Sequence, residues 1–324
     1  MTRLGIGLLG AGMVSELHAA GIAACPAAQL VGLWNRSPER AAARARQFGC
    51  RAYGSPAELL ADPRVDAVCV LTNLETHVEL ACHALQAGKH VLVEKPVGAN
   101  LEELRRLQQQ AASAGRVCMP GHNYIYEASL QRTRALLAQG RLGRLVALYV
   151  LYHIHHPEEV AAQYPGVIRQ IMTHHAYILL YLAGRPLSLA AMSATLHYQR
   201  LAQEDIALVN LRLESGALAH FCASFAADDH SADPWTVLVK AIGTGGATRY
   251  SYRDWVEARP AAVHSQTYTA YSDSIANEIA HFVRCARGED EPLSTLADAL
   301  DAQRIVEACE RAAATHGEVV VDYA

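Results

Sequence analysis

Two strings in this chain combine residue types and spacing that could do chemistry. The first is Gly7-Leu8-Leu9-Gly10-Ala11-Gly12-Met13-Val14-Ser15, an apolar run ending in Gly10-x-Gly12-x-x-Ser15. Gly10 permits a tight turn, and Gly12 lets the backbone approach a pyrophosphate with no Cβ in the way. The helix that follows then offers free N–H groups and the positive end of its dipole. The backbone of Gly10, Ala11, Gly12, Met13 and Val14 is therefore the expected phosphate cradle of a dinucleotide. Ser15 stands where a third glycine is usual and is small enough for close helix–strand packing. The plainer alternative is a tight strand-to-helix turn with no ligand. The second string is His90-Val91-Leu92-Val93-Glu94-Lys95-Pro96, which places Glu94 and Lys95 at the carboxyl end of a buried strand. That edge is where open α/β sheets bind ligands, and a lysine placed there is a recurrent acid–base choice, although most strand-end lysines simply face solvent.

The end of the second strand usually reads the ribose of a dinucleotide. A carboxylate there binds the 2′-hydroxyl of NAD, and an arginine accommodates the 2′-phosphate of NADP. Here the segment is Asn35-Arg36-Ser37. Asn35 does not repel a phosphate, Arg36 can pair with one, and Ser37 can add a hydrogen bond, so NADP is favoured over NAD.

These residues need an α/β scaffold, and the first third of the chain is written as one. Apolar runs at Leu4–Leu9, Leu30–Trp34, Ala67–Leu71, His90–Val93 and Val117–Met119 alternate with helical patterns at Met13–Ala24, Pro38–Phe48, Glu75–Ala87 and Leu101–Ala114. This alternation predicts a doubly wound parallel sheet. Ser37-Pro38 reads as a helix start, and Gly49, Gly88 and Gly115 read as helix ends. From about Arg144 the pattern changes to longer runs at Leu145–Ile154, Ile206–Leu213, Leu218–Phe225, Trp235–Ile242 and Thr248–Tyr252, joined by short turns. These predict an open, mostly antiparallel sheet, with helices at Val167–Ala183, Ser274–Arg287 and Leu296–His316 covering one face. The uncovered face suggests a homo-oligomer, a dimer or tetramer. The expected division is a dinucleotide-binding domain over residues 1–121 and a substrate-binding and oligomerisation domain over residues 122–324.

Composition sets the outer bounds. The chain has 324 residues, 51% hydrophobic and 19% charged, with a net charge of −4, so no basic surface for nucleic acid is implied. No apolar stretch approaches the length of a membrane helix, and the Met1–Gly7 run lacks the length and cleavage signal of a secretory peptide. The eight cysteines, Cys69 within Val68-Cys69-Val70 among them, are scattered without a CxxC pair, which fits a reducing, cytoplasmic location. Sixteen histidines raise the question of a metal, with His153-Ile154-His155-His156 the densest group. His153 and His155 would share one strand face while His156 points away, and Pro157 ends the run, so no catalytic metal is expected.

Taken together, the glycine turn, Glu94-Lys95-Pro96 and Thr72-Asn73-Leu74-Glu75-Thr76-His77 resemble the Gfo/Idh/MocA family of nicotinamide-dependent oxidoreductases. Asn73 stands where that family's Thr-Pro-x-x-x-His turn has proline. The resemblance runs over nearly the whole chain, to Val319–Val321. It implies a Rossmann domain followed by an α/β domain with an open sheet, and a hydride exchanged between NAD(P) and a small polyhydroxylated substrate such as a sugar or inositol. It also implies that Lys95 contacts the reacting hydroxyl, that Pro96 shapes the turn aiming it, that Glu94 lines the nicotinamide ribose, and that Thr72, Asn73 and His77 flank the cofactor. The family's second domain carries a helix reading Asp-x-x-x-His. The match here is Gln170-Ile171-Met172-Thr173-His174-His175, with His174 at the histidine and Gln170 at the aspartate. Glutamine orients a hydroxyl but does not take its proton, so proton transfer would rest on His174 with Lys95, and His175 is the alternative if the register shifts by one. The implied catalytic set is Lys95, His174 and Gln170. Tyr124, Tyr126, His155 and His175 join these three as candidate substrate contacts, the tyrosines as hydroxyl donors and an aromatic wall, or else as packing between domains. Two alternatives stay open: a reductase of a non-sugar carbonyl or diol, and a non-catalytic NAD(P)- and sugar-sensing protein on the same fold.

Overall fold

Apolar runs with no polar alternation form the first sheet, because it is covered on both sides. In the computed structural model, which describes residues 2–226, 235–251, 254–259, 262–267 and 271–324, all four residues of β4 (Ala67–Val70) are buried. The expectations touching Met1 and Tyr252 lie outside the described residues. β4 sits at the centre of a six-stranded parallel sheet with β1 (Leu4–Leu9), β2 (Ala28–Trp34), β3 (Arg51–Ala52), β5 (His90–Glu94) and β6 (Cys118–Gly121). The strand order is β3-β2-β1-β4-β5-β6. The direction of winding reverses between β1 and β4, and ligands of doubly wound sheets bind beyond the strand ends at that point.

The helices between these strands carry their own start and stop signals. They are α1 (Val14–Ala24), α2 (Pro38–Phe48), α3 (Pro56–Ala61), α4 (His77–Gln86) and α5 (Leu101–Ala114). Ser37, Ser55 and Asn100 cap α2, α3 and α5 by accepting from the N–H groups of Arg40, Glu58 and Glu103. Gly49 and Gly115 close α2 and α5 in the left-handed conformation, at φ 65° and 58°. The expected helix from Glu75 begins as a 3-10 turn, Leu74–Thr76, and becomes α-helical at His77. β3 and α3 were not expected. β3 is two exposed residues with no apolar pattern, and α3 is barely two turns long.

Packing divides the chain into two units. Met1–Tyr126 groups with Tyr271–Leu300, and Glu127–Ala270 groups with Asp301–Ala324. In the first unit α1 packs against α9 (Tyr271–Ala286). Gly21 lies in that contact: a Cβ there would sit 3.2 Å from Ala276 Cα and 3.3 Å from Ile279 Cγ1. The two helix backbones approach closely because position 21 has no side chain.

The second unit contains α6 (Ala128–Ala138), β7 (Leu145–Ile154), α7 (Glu158–Ala161), α8 (Val167–Ala183), β8 (Pro186–Ala194), β9 (Ile206–Leu213), β10 (Leu218–Ser224), β11 (Trp235–Gly243), β12 (Gly246–Ser251), β13 (Asp254–Arg259), β14 (Ala262–Thr267), the greater part of α10 (Leu296–Thr315), and β15 (Glu318–Val320). Its nine strands are ordered β14-β13-β12-β11-β7-β10-β9-β8-β15. All pairings are antiparallel except β7 with β10. β9 alternates strictly, with Ala207, Val209, Leu211 and Leu213 buried. Packing of α8 against β7, β9 and β10 covers this face. The opposite face leaves Leu208 40%, Leu218 52% and Met192 74% exposed. β8, β13, β14 and α6 were not expected; in β8 the run Ala190-Ala191 and the flanking serines blur the alternation.

The Gly21 contact is directly testable. Gly21→Leu forces a branched side chain between α1 and α9, and equilibrium denaturation is expected to show a loss of about 1–3 kcal/mol. A variant as stable as the parent protein would show that the helices do not depend on this approach.

Candidate active site

The ends of β1, β2, β4 and β5 are neighbours on one sheet edge, so Gly10, Asn35, Thr72 and Lys95, which follow them, are brought together there. The two glycines of the first turn are glycine for different reasons. Gly10 has φ 118°, and a Cβ there would lie 2.6 Å from the Leu71 carbonyl oxygen, so the fold itself requires it. At Gly12 nothing lies within 4 Å of where a Cβ would be. No packing among the described residues demands glycine at position 12, so the space it leaves open suits a group arriving from outside. No side chain caps α1; its Ser15 and Glu16 N–H groups donate to the Gly12 and Met13 carbonyls, each at 3.2 Å, at the edge of that space. This arrangement fits the pyrophosphate of a dinucleotide. Ser15 is fully buried, and its hydroxyl donates to the Gly12 carbonyl at 2.5 Å.

Asn35 is more occupied than expected. Its Oδ1 accepts from Ala11 N–H at 3.1 Å and its Nδ2 donates to the Ser37 carbonyl at 3.3 Å, so it ties the glycine turn to the end of β2. The Ser37 hydroxyl is used as the α2 cap and donates to Glu39. Arg36 is exposed and makes no ion pair among the described residues. In the next loop Asn73 is exposed, and Thr72 accepts from the Thr76 hydroxyl at 2.8 Å. His77 is buried, with Nε2 2.9 Å from the Thr72 carbonyl oxygen and Nδ1 2.8 Å from that of Pro96. It is a strut joining the ends of β4 and β5. The Lys95–Pro96 bond, which the sequence left open, is cis.

Glu94 is held on both oxygens. Oε1 lies 3.0 Å from Nε2 of the fully buried His18, and Oε2 accepts from the Lys95 backbone N–H at 3.0 Å. Burial pushes the Glu94 pKa up, but the His18 bond, the His18 charge and Lys95 outweigh it and hold the carboxyl below its usual range. Burial lowers the pKa of Lys95, and the Glu94 charge opposes that shift. Glu278 of α9 is fully buried, and neither of its oxygens has a hydrogen-bond partner among the described residues. Burial and then the charge of Glu94 push it well above the carboxylate range, so it is a neutral acid. His122 donates to or accepts from Ser294 Oγ at 2.7 Å, and burial lowers its pKa to about 3. Tyr124 and Tyr126, expected at a substrate wall, are 0% and 1% exposed. Tyr124 meets Tyr271 edge-on at 5.7 Å, and the Tyr126 hydroxyl donates to Met119 Sδ at 3.4 Å. Both therefore pack inside the first unit, where the sequence left open a substrate wall or packing between domains.

In the second unit, α8 sets Gln170 and His174 one turn apart on one helical face. His174 is 2% exposed; its Nδ1 lies 2.6 Å from the Tyr177 hydroxyl, and its ring packs on Tyr152 at 5.3 Å. The adjacent His175 turns towards the sheet. Its Nδ1 is 3.2 Å from the Ile171 carbonyl and its Nε2 3.0 Å from that of Cys222. Burial lowers its pKa to about 4, so it is neutral and donates to only one of them. Of the two registers open in the sequence, His174 meets a side-chain hydroxyl and His175 meets backbone carbonyls among the described residues. His155 lies just past the end of β7, edge-on to His197 at 6.3 Å, and its buried Nδ1 has no hydrogen-bond partner among the described residues. His153 contacts Cys222 Sγ at 3.1 Å.

Sequence reasoning missed His18, Glu278 and Tyr177. Tyr177 had a signal, because it follows His174 by three residues, the spacing of same-face neighbours in a helix. Glu278 interrupts the apolar face Ile275–Ile279–Phe282 of α9, which marks a polar group on a buried stripe. His18 had none, since its partner Glu94 is 76 residues away.

Two sets of variants test this site. Gly12→Ala is expected to keep the parental melting temperature and lose most NAD(P) affinity in a fluorescence titration, whereas Gly10→Ala is expected to lose stability itself. Equal effects would refute the distinction. Glu278 retains a proton when folded that the unfolded chain releases above about 4.5, so its contribution to stability falls as pH rises from there. The melting temperature of Glu278→Gln relative to the parent is expected to climb between about pH 5 and about pH 8. A difference that does not change with pH would mean that Glu278 is ionised in the fold.

Comparison with known proteins identifies the family of both domains. Residues 4–122 match the family described as "Oxidoreductase family, NAD-binding Rossmann fold", and residues 130–249 match the GFO/IDH/MocA C-terminal domain. The chain is 33% identical over 228 residues to 1,5-anhydro-D-fructose reductase of Ensifer adhaerens, covering 68% of each protein. It is 25% identical over 330 residues to inositol 2-dehydrogenase of Rhizobium meliloti (strain 1021), covering 97% and 98%. The fold is that of levoglucosan dehydrogenase in complex with NADH and levoglucosan, with a TM-score of 0.89 at 22% identity and 99% and 100% coverage. No helix among the described residues is long and apolar enough to cross a membrane. The glycine turn, the Glu94-Lys95-Pro96 strand end and the two matched domains make this chain a member of the Gfo/Idh/MocA oxidoreductase family, with an NAD(P)-binding Rossmann fold in its first unit.

Proposed function

We propose that the protein interconverts a secondary alcohol and a ketone on a sugar, an inositol or a related polyhydroxylated molecule, using NAD(P). The observation that carries this reading is Lys95. It is a half-buried amine at the end of β5, beside an ionised Glu94 and on the same sheet edge as the open space at Gly12. The names of relatives support the substrate class: a sugar-derived ketone for one and inositol for another. In this reading residues 1–121, packed with α9 in the first unit, bind the dinucleotide, and the second unit supplies the substrate contacts and the oligomer interface.

A dinucleotide held at the Gly10–Val14 turn would supply or take up the hydride. The chain supplies the rest. The Lys95 ammonium stabilises the negative charge that develops on the reacting oxygen in either direction. His174 takes the hydroxyl proton on oxidation and returns it on reduction. The amide of Gln170 donates to a neighbouring hydroxyl and orients it, without joining the proton transfer. Thr72, His77 and Glu94 shape the edge on which the cofactor rests.

NADP is the favoured cofactor, because the end of β2 has no carboxylate and Arg36 is exposed and unpaired among the described residues. A homo-oligomer through the second sheet is supported by its open face. That face carries Leu208, Leu218 and Met192 and a cavity of about 500 Å³ bordered by Tyr149, Asn210, Arg212 and His220. The eight unpaired cysteines fit a cytoplasmic location. Gln170 in place of an aspartate favours a second reading, a dinucleotide- and sugar-sensing protein without turnover.

One assay separates the two readings. The protein is mixed with NADPH or NADH and a panel of keto-sugars and inosose ketones, and absorbance at the nicotinamide band is followed. An enzyme consumes the reduced cofactor. A sensor only raises its melting temperature with the same ligands. Lys95→Ala is expected to retain cofactor affinity and lose at least about 100-fold in kcat. Undiminished turnover in that variant would remove the mechanism.

A further inference from the structure

We propose that Tyr177 is a positioning residue for the reaction. Its phenol oxygen accepts the Nδ1–H of His174 and holds the imidazole in the tautomer that exchanges the substrate proton at Nε2. The inference rests on the reading of His174 as the proton-exchanging group and extends it.

The geometry is local to α8. The two side chains are three residues apart on one face, with Nδ1 and the hydroxyl oxygen 2.6 Å apart. Each residue is only 2% exposed, so water does not compete for the bond. The Tyr177 ring meets the imidazole at 5.5 Å and 69°, and the Tyr152 ring lies 5.3 Å away at 49°. Two aromatic rings and one short hydrogen bond therefore fix the imidazole plane.

A base must present a lone pair. If Nε2 is to accept the proton of a hydroxyl, the ring's own proton must sit on Nδ1, and a neutral imidazole places it there only when an acceptor is waiting. Gln170, one turn before His174, has no carboxylate to act as that acceptor. The Tyr177 oxygen is such an acceptor, and because a phenol is uncharged near neutral pH it fixes the tautomer with a smaller rise in pKa than a carboxylate brings. On oxidation the substrate O–H bond breaks, its proton goes to Nε2, and the hydride on the same carbon goes to the oxidised dinucleotide. The Nδ1–H stays bonded to Tyr177, which keeps its own proton throughout. On reduction every transfer reverses.

The test combines an activity readout with one that does not depend on activity. In protein labelled with nitrogen-15 at histidine, the His174 signals are assigned by their absence in His174→Gln. The parent protein is expected to show one fixed tautomer, protonated at Nδ1. In Tyr177→Phe, which keeps the ring and removes the oxygen, the two tautomers are expected to mix. In the same variant kcat is expected to fall about 10- to 100-fold, with the KM for the dinucleotide unchanged. The acid limb of the kcat–pH profile is expected to move to lower pH, because the imidazolium has lost an acceptor. Averaged tautomers in the parent protein overturn the proposal, and they do so even if Tyr177→Phe fails to fold. An unchanged kcat–pH profile in Tyr177→Phe, with turnover lost in His174→Gln, also overturns it while leaving the assignment of His174 intact. Full turnover in His174→Gln overturns that assignment and this inference with it.

Discussion

A carboxylate at the end of a buried strand is stable as an anion only if its oxygens are occupied, and both oxygens of Glu94 are. One faces His18 Nε2 and the other accepts the Lys95 backbone N–H. This arrangement governs the charges around it. The Glu94 charge counters the burial that lowers the proton affinity of Lys95. The same charge acts on Glu278, which among the described residues has no bond to compensate it, and raises its pKa well above the carboxylate range. Two carboxyl groups in one buried region thus take opposite protonation states, and hydrogen bonding decides which is which.

The second unit makes a similar division with two neighbouring histidines. Successive side chains on a helix diverge by about 100°, so His175 meets the sheet while His174 meets Tyr177 and Tyr152. One imidazole is committed to backbone carbonyls and has little proton affinity. The other is bonded to a phenol one turn ahead of it along the same face. Identical residue types acquire different chemistry from the direction α8 gives each of them.

What could be read in the sequence follows from how locally each feature is encoded. The parallel sheet was legible because β1, β4 and β5 are buried on both faces and therefore uninterrupted in apolar character. The starts of α2 and the ends of α2 and α5 were legible because Ser37, Gly49 and Gly115 act within a turn of themselves. β3 and β8 were not, since an edge strand of two exposed residues and a strand of small residues carry little period-two signal. At the site, Gly10, Gly12 and Lys95 stood out by type and position. The internal ties of Asn35, the double carbonyl contact of His77 and the complete burial of Tyr124 and Tyr126 depend on partners distant in the chain, and spacing does not encode them. His18 and Glu278 meet the strand ends from two helices that are far apart in sequence, so neither position draws attention to the other.

Both units are assembled from separated stretches of chain, and this bears on how the polypeptide is made. The close approach at Gly21 needs α9, yet α9 leaves the ribosome only after the whole of Glu127–Ala270. During synthesis the nascent Rossmann core therefore waits with one flank of α1 uncovered. The second unit in turn lacks β15, the partner of β8, until α9 and α10 have been made. Neither unit can complete its fold cotranslationally in the simple order of domain after domain, and a polypeptide that stalls before Tyr271 presents an apolar helix flank to chaperones.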